Sequence, residues 1–418
     1  MIRALLKPNR IEVPRDLASV GARDEQAEVA AETLGLQQAS VEHVWRAVQR
    51  LYSTGLQPAI SLTLRHRGQI LIKRSIGHAR VARAGAGGAA LRCTPQTPIC
   101  LFSASKAVTA MLVHKLAETR QLSLDDRVAR YLPEYGVEGK ASTTIRHLLA
   151  HRAGIPRVAR GTDPRILFDW DAVVKALCAA KPISTGTQVQ SYHAITGGFI
   201  LGELVQRVSG RPLRDFLRET IAEPMGFKHF SFGVPPEHRA TAALNYATGP
   251  RSWFPLTTYI ERVLNASFER VVEISNSPEF MSSVIPAGNL YATSDEIGAF
   301  FQMMLQGGRW NDRQIFAPET ITEAVRPASA IHFDRTLLVP VRFSAGMVLG
   351  EWPAGLYGPD CRSAYGHLGF LTTLCWADPA RDLSVGFVNS GKSLSTDQLR
   401  PLLGVLGAID RLVRRRLR

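Results

Sequence analysis

The 418-residue sequence predicts an α/β fold of the α+β kind, an antiparallel sheet flanked by helices with an inserted, mainly helical lobe. Three observations lead to it. Ala59-Ile60-Ser61-Leu62-Thr63-Leu64 alternates, His66-Arg67-Gly68-Gln69 turns and Ile70-Leu71-Ile72 resumes, which is the signature of a β-hairpin. Strand patterns then disappear and return only late in the chain. The long stretch between carries apolar residues at three- and four-residue spacing, the period of helices packed on one face.

Taken in order, residues 1–45 read as an N-terminal helical extension, with its helical stretch near residues 24–34. Residues 46–102 together with 335–418 form the α/β domain from both chain ends, and residues 103–334 form the helical lobe. Residues 84–90 are a Gly/Ala-rich loop. Its Gly85-Ala86-Gly87-Gly88 leaves the Gly-x-Gly-x-x-Gly frame incomplete and opens no helical pattern, so it is not a phosphate cradle. Helices are predicted over 107–116, 145–150, 172–179, 197–208 and 297–305. Strands are predicted over 341–350, 372–377 and 383–389, with the turn Asp378-Pro379-Ala380-Arg381 between the last two. Residues 402–417 close the chain as an amphipathic helix. This arrangement places a site in the crevice between lobe and sheet.

Composition narrows the function classes. With 45% hydrophobic residues the chain buries a large core, which excludes a disordered or fibrous protein. Lys and Arg outnumber Asp and Glu by 50 to 36, for a net charge of +14. The arginines are spread along the chain instead of forming a basic stripe interleaved with aromatics, so the charge reads as a solvated surface and not as a nucleic-acid interface. The five cysteines, Cys93, Cys100, Cys178, Cys361 and Cys375, are odd in number and lack Cys-x-x-Cys spacing. They read as free thiols of a reducing compartment. The N-terminus lacks the apolar stretch and cleavage site of a secretory signal, and no apolar run reaches the roughly 20 residues of a spanning helix. The expected location is the cytoplasm.

Three motifs carry chemistry. Ser103-Ala104-Ser105-Lys106 opens the apolar run Ala107-Val108-Thr109-Ala110-Met111-Leu112. Spacing i to i+3 sets hydroxyl and amine on one helix face, where a desolvated amine stays neutral and accepts the serine proton. The helix N-terminus adds free N–H groups for an oxyanion and a positive end that disfavours the ammonium form. The pattern alone also fits an N-capping serine followed by a surface lysine, and the apolar flanks of Lys106 argue against that. Tyr192-His193-Ala194 follows Thr185-Gly186 and precedes a helix. A phenol whose pKa is lowered by a nearby cation can shuttle a proton there. Gly366-His367-Leu368-Gly369-Phe370 leads into a strand, where the Phe370 N–H supplies a second oxyanion donor and Gly369 lets substrate approach the strand edge.

The order of these motifs, with about 90 residues between the first and second, resembles the class C β-lactamase-like and penicillin-binding-protein-like serine hydrolases, including family VIII carboxylesterases. Further segments look like the same family: Thr144-Ile145-Arg146-His147-Leu148-Leu149-Ala150-His151-Arg152-Ala153-Gly154-Ile155, Pro286-Ala287-Gly288-Asn289-Leu290 and Trp376-Ala377-Asp378-Pro379. The resemblance spans about residues 58–390, and it implies a β-lactamase/transpeptidase-like fold. It further implies that Ser103 forms an acyl-enzyme and that Lys106 and Tyr192 act as general base and acid. The oxyanion then sits between the Ser103 and Phe370 amides, with His367 and Gly369 at the substrate. Two positions depart from the penicillin-recognising pattern. Ala194 stands where an Asn usually contacts a substrate amide. His367-Leu368-Gly369 stands for Lys-Thr-Gly, so a cation and a hydroxyl are lost. A neutral ester needs neither contact.

The expected activity is therefore a cofactor-free serine carboxylesterase acting on small or short-acyl esters. A β-lactamase or D-amino-acid peptidase, and a non-catalytic membrane-associated scaffold, are the competing classes. His147 and His151 have the spacing of a helical metal pair, but Leu148 stands where a metalloprotease has its glutamate and no third ligand is in view, so no metal is expected. No Gly-x-Ser-x-Gly elbow occurs, which disfavours an α/β-hydrolase. The C-terminal helix, with Arg411 and Arg414–Arg416, reads as packed on the sheet in preference to lying on an anionic membrane. Substrate preference rests on loops 168–171 and 251–258.

Overall fold

A computed structural model describes residues 9–82, 89–159, 161–184, 189–250, 258, 259, 261, 263 and 265–413. The Gly85–Gly88 segment, Thr185-Gly186, Arg414–Arg416 and all of loop 251–258 except Thr258 lie outside the described residues.

Eight strands build the main sheet: β1 (Gly21–Arg23), β2 (Ala59–His66), β3 (Gln69–Arg80), β4 (Leu91–Arg92), β5 (Val348–Leu349), β6 (Tyr365–Gly369), β7 (Thr373–Asp378) and β8 (Leu383–Asn389). The spatial order is β1-β3-β2-β8-β7-β6-β5, with β4 on the far end of β3, and every pairing is antiparallel. The hairpin predicted near residue 60 is β2–β3, and β2 also pairs with β8, bringing His66 beside Leu383. The sheet thus joins both ends of the chain.

Five helices cover its faces or hold the site: α1 (Gln38–Tyr52), α2 (Ser105–Glu118), α3 (Thr196–Ser209), α4 (Ser294–Leu305) and α5 (Leu399–Leu412). On one face, Leu62, Leu64, Trp376, Val385 and Phe387 join Val44, Val48 and Leu51 of α1 and Val405, Leu406 and Ile409 of α5 in one apolar core. On the other face lies α4. The alternation of β2 does not mark a solvent face, because all eight of its residues are buried. Its hydroxyls Ser61 and Thr63 bond the Ser294 hydroxyl at 2.8 and 2.9 Å, satisfying polar groups that would be costly to bury unpaired. Small residues let α4 come close: a Cβ on Gly386 of β8 would meet the Ser294 carbonyl at 2.1 Å.

Three predicted elements differ from the structure. The helix expected near residues 24–34 is absent. Gly21–Arg23 adds an edge strand to β3, and only a short 3-10 turn, Ala31–Leu34, follows. Glu28 there faces Arg74 instead of solvent, accepting from its guanidinium at 2.8 Å. The strand expected over 341–350 is split. Val339–Val341 pairs with His332–Asp334 in a separate hairpin, and β5 begins only after a turn in which Gly346 has φ of 122°. A side chain at Gly346 would strike Ala110 of α2, so the turn is set by close packing against that helix. The closing helix starts at Leu399, three residues earlier than its apolar pattern suggests.

Candidate active site

Ser103 sits in a 3-10 turn, Phe102–Ala104, that leads directly into α2. Phe102 holds a φ of 46°, a left-handed conformation that costs a non-glycine residue about 1–3 kcal/mol and occurs where the surrounding structure imposes it. The imposing contacts come from residues 286–292. The Leu101 amide donates to the Leu290 carbonyl at 2.8 Å, the Ser105 hydroxyl accepts from the Leu290 amide at 3.0 Å, and the Thr109 hydroxyl donates to the Pro286 carbonyl at 2.6 Å.

Lys106, in the first turn of α2, is buried. Its Nζ lies 3.0 Å from Ser103 Oγ and donates to the Ala287 carbonyl at 3.0 Å. Burial holds its pKa well below the ordinary lysine value, because an ammonium there would lose its hydration. The shift favours the free base, and the amine stands at a position from which its lone pair can take the serine proton. The predicted pairing of Ser103 with Lys106 is thus a direct contact.

Tyr192 is brought to the same point from the loop before α3. The Lys106 Nζ stands 4.9 Å from its ring centroid, and its hydroxyl interacts with the Ser103 hydroxyl. The expected lowering of the phenol pKa is reversed, since burial dominates and pushes it up, with Asp334 adding to the rise. Burial thus favours the protonated phenol, which can donate a hydrogen bond. Asp334 also positions the loop. Its Oδ1 accepts from the Tyr192 amide at 3.0 Å and from the Thr336 and Leu337 amides at 2.8 and 2.9 Å.

Behind Lys106 lie two histidines that sequence reasoning gave no role. The His193 amide donates to His151 Nδ1 at 3.2 Å, and His193 Nε2 accepts from the Ile155 amide at 3.2 Å. These bonds fix neutral tautomers, and burial pushes both pKa values down, that of His193 to about 3. His147, in contrast, caps its own helix, accepting from the Thr144 amide at 3.1 Å. Among the described residues no group of three or more His, Cys, Asp and Glu is placed to hold a metal ion.

The third motif is only partly where its expected role needs it. His367 on β6 is buried, its Nδ1 lies 2.7 Å from the Leu368 carbonyl, and burial takes its pKa down to about 3. It lies beside Tyr192, 6.2 Å between ring centroids, but does not line the cavity into which Ser103 opens. Gly369 is likewise not open to substrate. A Cβ there would meet the Leu101 carbonyl at 2.0 Å, so the glycine admits the chain segment that carries Ser103. Phe370 does reach the site, stacking on Phe102 with ring centroids 5.0 Å apart. Its φ of 30° turns the chain sharply after β6. Neither its amide nor that of Ser103 donates to a backbone carbonyl in the loop and turn bonds of the described residues.

Ser103 and Tyr192 open into a cavity of about 280 Å³. Its walls include Ala194, Tyr259, Phe268, Leu356, Leu368 and Phe370, and no charged side chain lines it among the described residues. Thr258, the one described residue of loop 251–258, does not line it, nor do residues 168–171. A larger hollow of about 670 Å³ lies elsewhere, among Glu118, Arg120, Arg130 and Arg146, and holds none of the predicted site residues.

A serine at the head of a helix, a buried lysine one turn on and a tyrosine from the loop before α3 define the site of a serine hydrolase built on the β-lactamase/transpeptidase-like fold. A penicillin-binding protein homologue from Caulobacter crescentus superposes with a TM-score of 0.78 at 25% identity, covering 90% of this chain and 98% of that one. A family VIII carboxylesterase shares the fold with a TM-score of 0.74 at 24% identity, over 88% and 97% of the two chains. The Mycobacterium tuberculosis protein "Esterase/beta-lactamase LipL" is 26% identical over 307 residues, 69% of this chain and 68% of its own. The chain belongs to the Beta-lactamase family, whose family model matches residues 48–407.

Proposed function

We propose that this serine hydrolase is a carboxylesterase for uncharged esters with a small or short apolar acyl group. The observation that carries the reading is the cavity beyond Ser103, which is apolar and lacks a charged side chain among the described residues. A β-lactam or a D-amino-acid peptide brings a carboxylate, and burying it unpaired would cost several kcal/mol. Ala194 lines this cavity, so an Asn amide for an acylamino group is missing at the position that would offer it. The LipL name, which joins esterase and β-lactamase, is compatible with the same machinery serving an ester.

In this reading Lys106 Nζ takes the Ser103 proton as Oγ attacks the ester carbonyl carbon. The carbonyl π electrons move to oxygen, and the Ser103 and Phe370 amides stabilise that oxyanion. On collapse the C–O bond to the alcohol breaks, and the proton held by Lys106 reaches the leaving oxygen through the Tyr192 hydroxyl. Water then repeats the sequence on the acyl-enzyme and releases the acid.

The test is kcat/KM on a graded p-nitrophenyl ester series, beside a chromogenic cephalosporin. Short-acyl esters are expected to be turned over and Ser103→Ala to lower that rate by about 10³-fold or more, with loss of the fluorophosphonate adduct at residue 103. Ester hydrolysis that survives Ser103→Ala would sink the proposal. Cephalosporin turnover matching the best ester would move the assignment to β-lactamase.

A further inference from the structure

Eleven large hydrophobic side chains stand exposed among the described residues, and their distribution is uneven. Six of them come from the three segments that bound the cavity. Phe333, Leu338 and Val339 belong to the hairpin that supplies Leu337 and Val341 to its wall, Trp352 and Leu356 to the next loop, and Leu371 to the turn after β6. Leu356 and Leu371 do both at once: they line the cavity and are 38% and 41% exposed, which places the exposed apolar group at the mouth. Isolated exposed leucines need no explanation, whereas a clustered apolar rim marks an interaction surface.

The rim has the composition of a surface made for a lipid–water boundary. Trp352, 62% exposed, has the Arg362 guanidinium 5.5 Å above its ring, an aromatic body with a cation beside it that is also 3.8 Å from the Asp360 carboxylate, an arrangement of the kind found at the level of lipid headgroups. Arg335, at the hairpin turn, is exposed and has no carboxylate partner among the described residues. Glu351, an acid of the same loops, is tied to Arg342 at 2.8 Å. The molecule as a whole carries a net charge of +14, which draws it to an anionic layer. Continuity adds the decisive argument. The apolar rim runs into the largely apolar cavity that ends at Ser103, so a molecule leaving a lipid layer would meet no charged side chain of the cavity lining among the described residues on its way to the nucleophile.

We propose that the rim formed by the 332–341 hairpin, the 352–356 loop and Leu371 docks the enzyme on an anionic lipid surface, from which the ester substrate is delivered. Docking needs no turnover, and only the nature of what enters the cavity rests on the esterase reading.

The experiment is flotation of the full chain with vesicles of phosphatidylcholine containing about one-third phosphatidylglycerol, comparing the wild type with the triple variant Phe333→Ser, Leu338→Ser, Trp352→Ser. None of the three residues lines the cavity. The wild type is expected to float and the variant to lose at least tenfold in bound fraction, while both hydrolyse p-nitrophenyl butyrate in free solution at the same rate. That rate also shows that the variant is folded, and a wild type inactive on the ester yet bound through the rim would sink the esterase reading alone. Failure of the wild type to float overturns docking. So does equal flotation of the variant, which would move lipid binding to other cations or to Leu399 and Leu403 of α5. Sedimentation of the wild type as a dimer that the variant abolishes would assign the rim to a second copy of the chain and overturn the proposal as well.

Discussion

Lys106 shows how one buried amine is set for chemistry at a cost to the fold. Its lowered pKa means that the unfolded chain binds a proton that the folded chain refuses. The stability penalty is greatest below the folded pKa and vanishes as pH rises through the unfolded value of about 10.4. Lys106→Met is therefore expected to raise the melting temperature at pH 7, with a smaller gain at pH 9.5, while ester hydrolysis falls by about 10³-fold. A calorimetric pH series on both proteins checks the sign. At this scale the sequence was informative where motif and contact coincide. Ser103 and Lys106 are one helical turn apart and stay so in space. His151 and His193 are not legible as a pair, because 42 residues separate them and they meet only when the loop before α3 folds onto the segment after residues 145–149. The direction of the Tyr192 shift was misread for a related reason. Residue identity points to a cation near the phenol, whereas burial of the phenol itself is what dominates its shift.

At the scale of elements, the tyrosine loop depends on a carboxylate from a different hairpin. Three amides converge on Asp334 Oδ1, which is more than a turn normally offers one acceptor. Asp334→Ala leaves those buried donors without a partner, at about 1–3 kcal/mol for each that water cannot reach. Chemical denaturation is expected to show a loss of at least about 2 kcal/mol. kcat should fall more than KM rises, since Tyr192 is displaced while the apolar walls remain. Asp334→Asn keeps the acceptor and is expected to restore most of both. No local pattern announced this contact, which spans 142 residues. The strands were legible where alternation was continuous, as in β2 and β8, and illegible where a turn such as Ser344-Ala345-Gly346 is dictated by a helix packed behind it. Edge strand β1 carries only three residues and no periodicity, so its pairing with β3 follows from tertiary packing alone.

For the whole molecule, the sheet divides the interior into two apolar cores, and the core on the α1 side depends on the last helix. Leu402, Val405, Leu406, Ile409 and Leu412 of α5 are buried in it. At about 1.5–3 kcal/mol for each such side chain, their removal exceeds much or all of a typical net stability of about 5–15 kcal/mol. A chain ending at Gln398 is expected to lack a cooperative melting transition by circular dichroism and to aggregate on gel filtration. The sheet-plus-lobe architecture was readable because its two signals, hairpins at the ends and helical periods between, are themselves periodic.

The seam between β2 and β8 has a consequence for how the protein is made. His66 pairs with Leu383, about 320 residues further along the chain. At a synthesis rate of about 5–20 residues per second, the first hairpin waits roughly 15–60 s on the ribosome before its neighbour exists. Throughout that time Ile60, Leu62 and Leu64 stand along an open strand edge, the kind of surface to which other nascent chains adhere. The catalytic segment that follows at residues 101–106 is translated into the same unfinished state, because its support, Pro286–Leu290, emerges some 180 residues later. The active site is therefore assembled only after most of the chain has been translated.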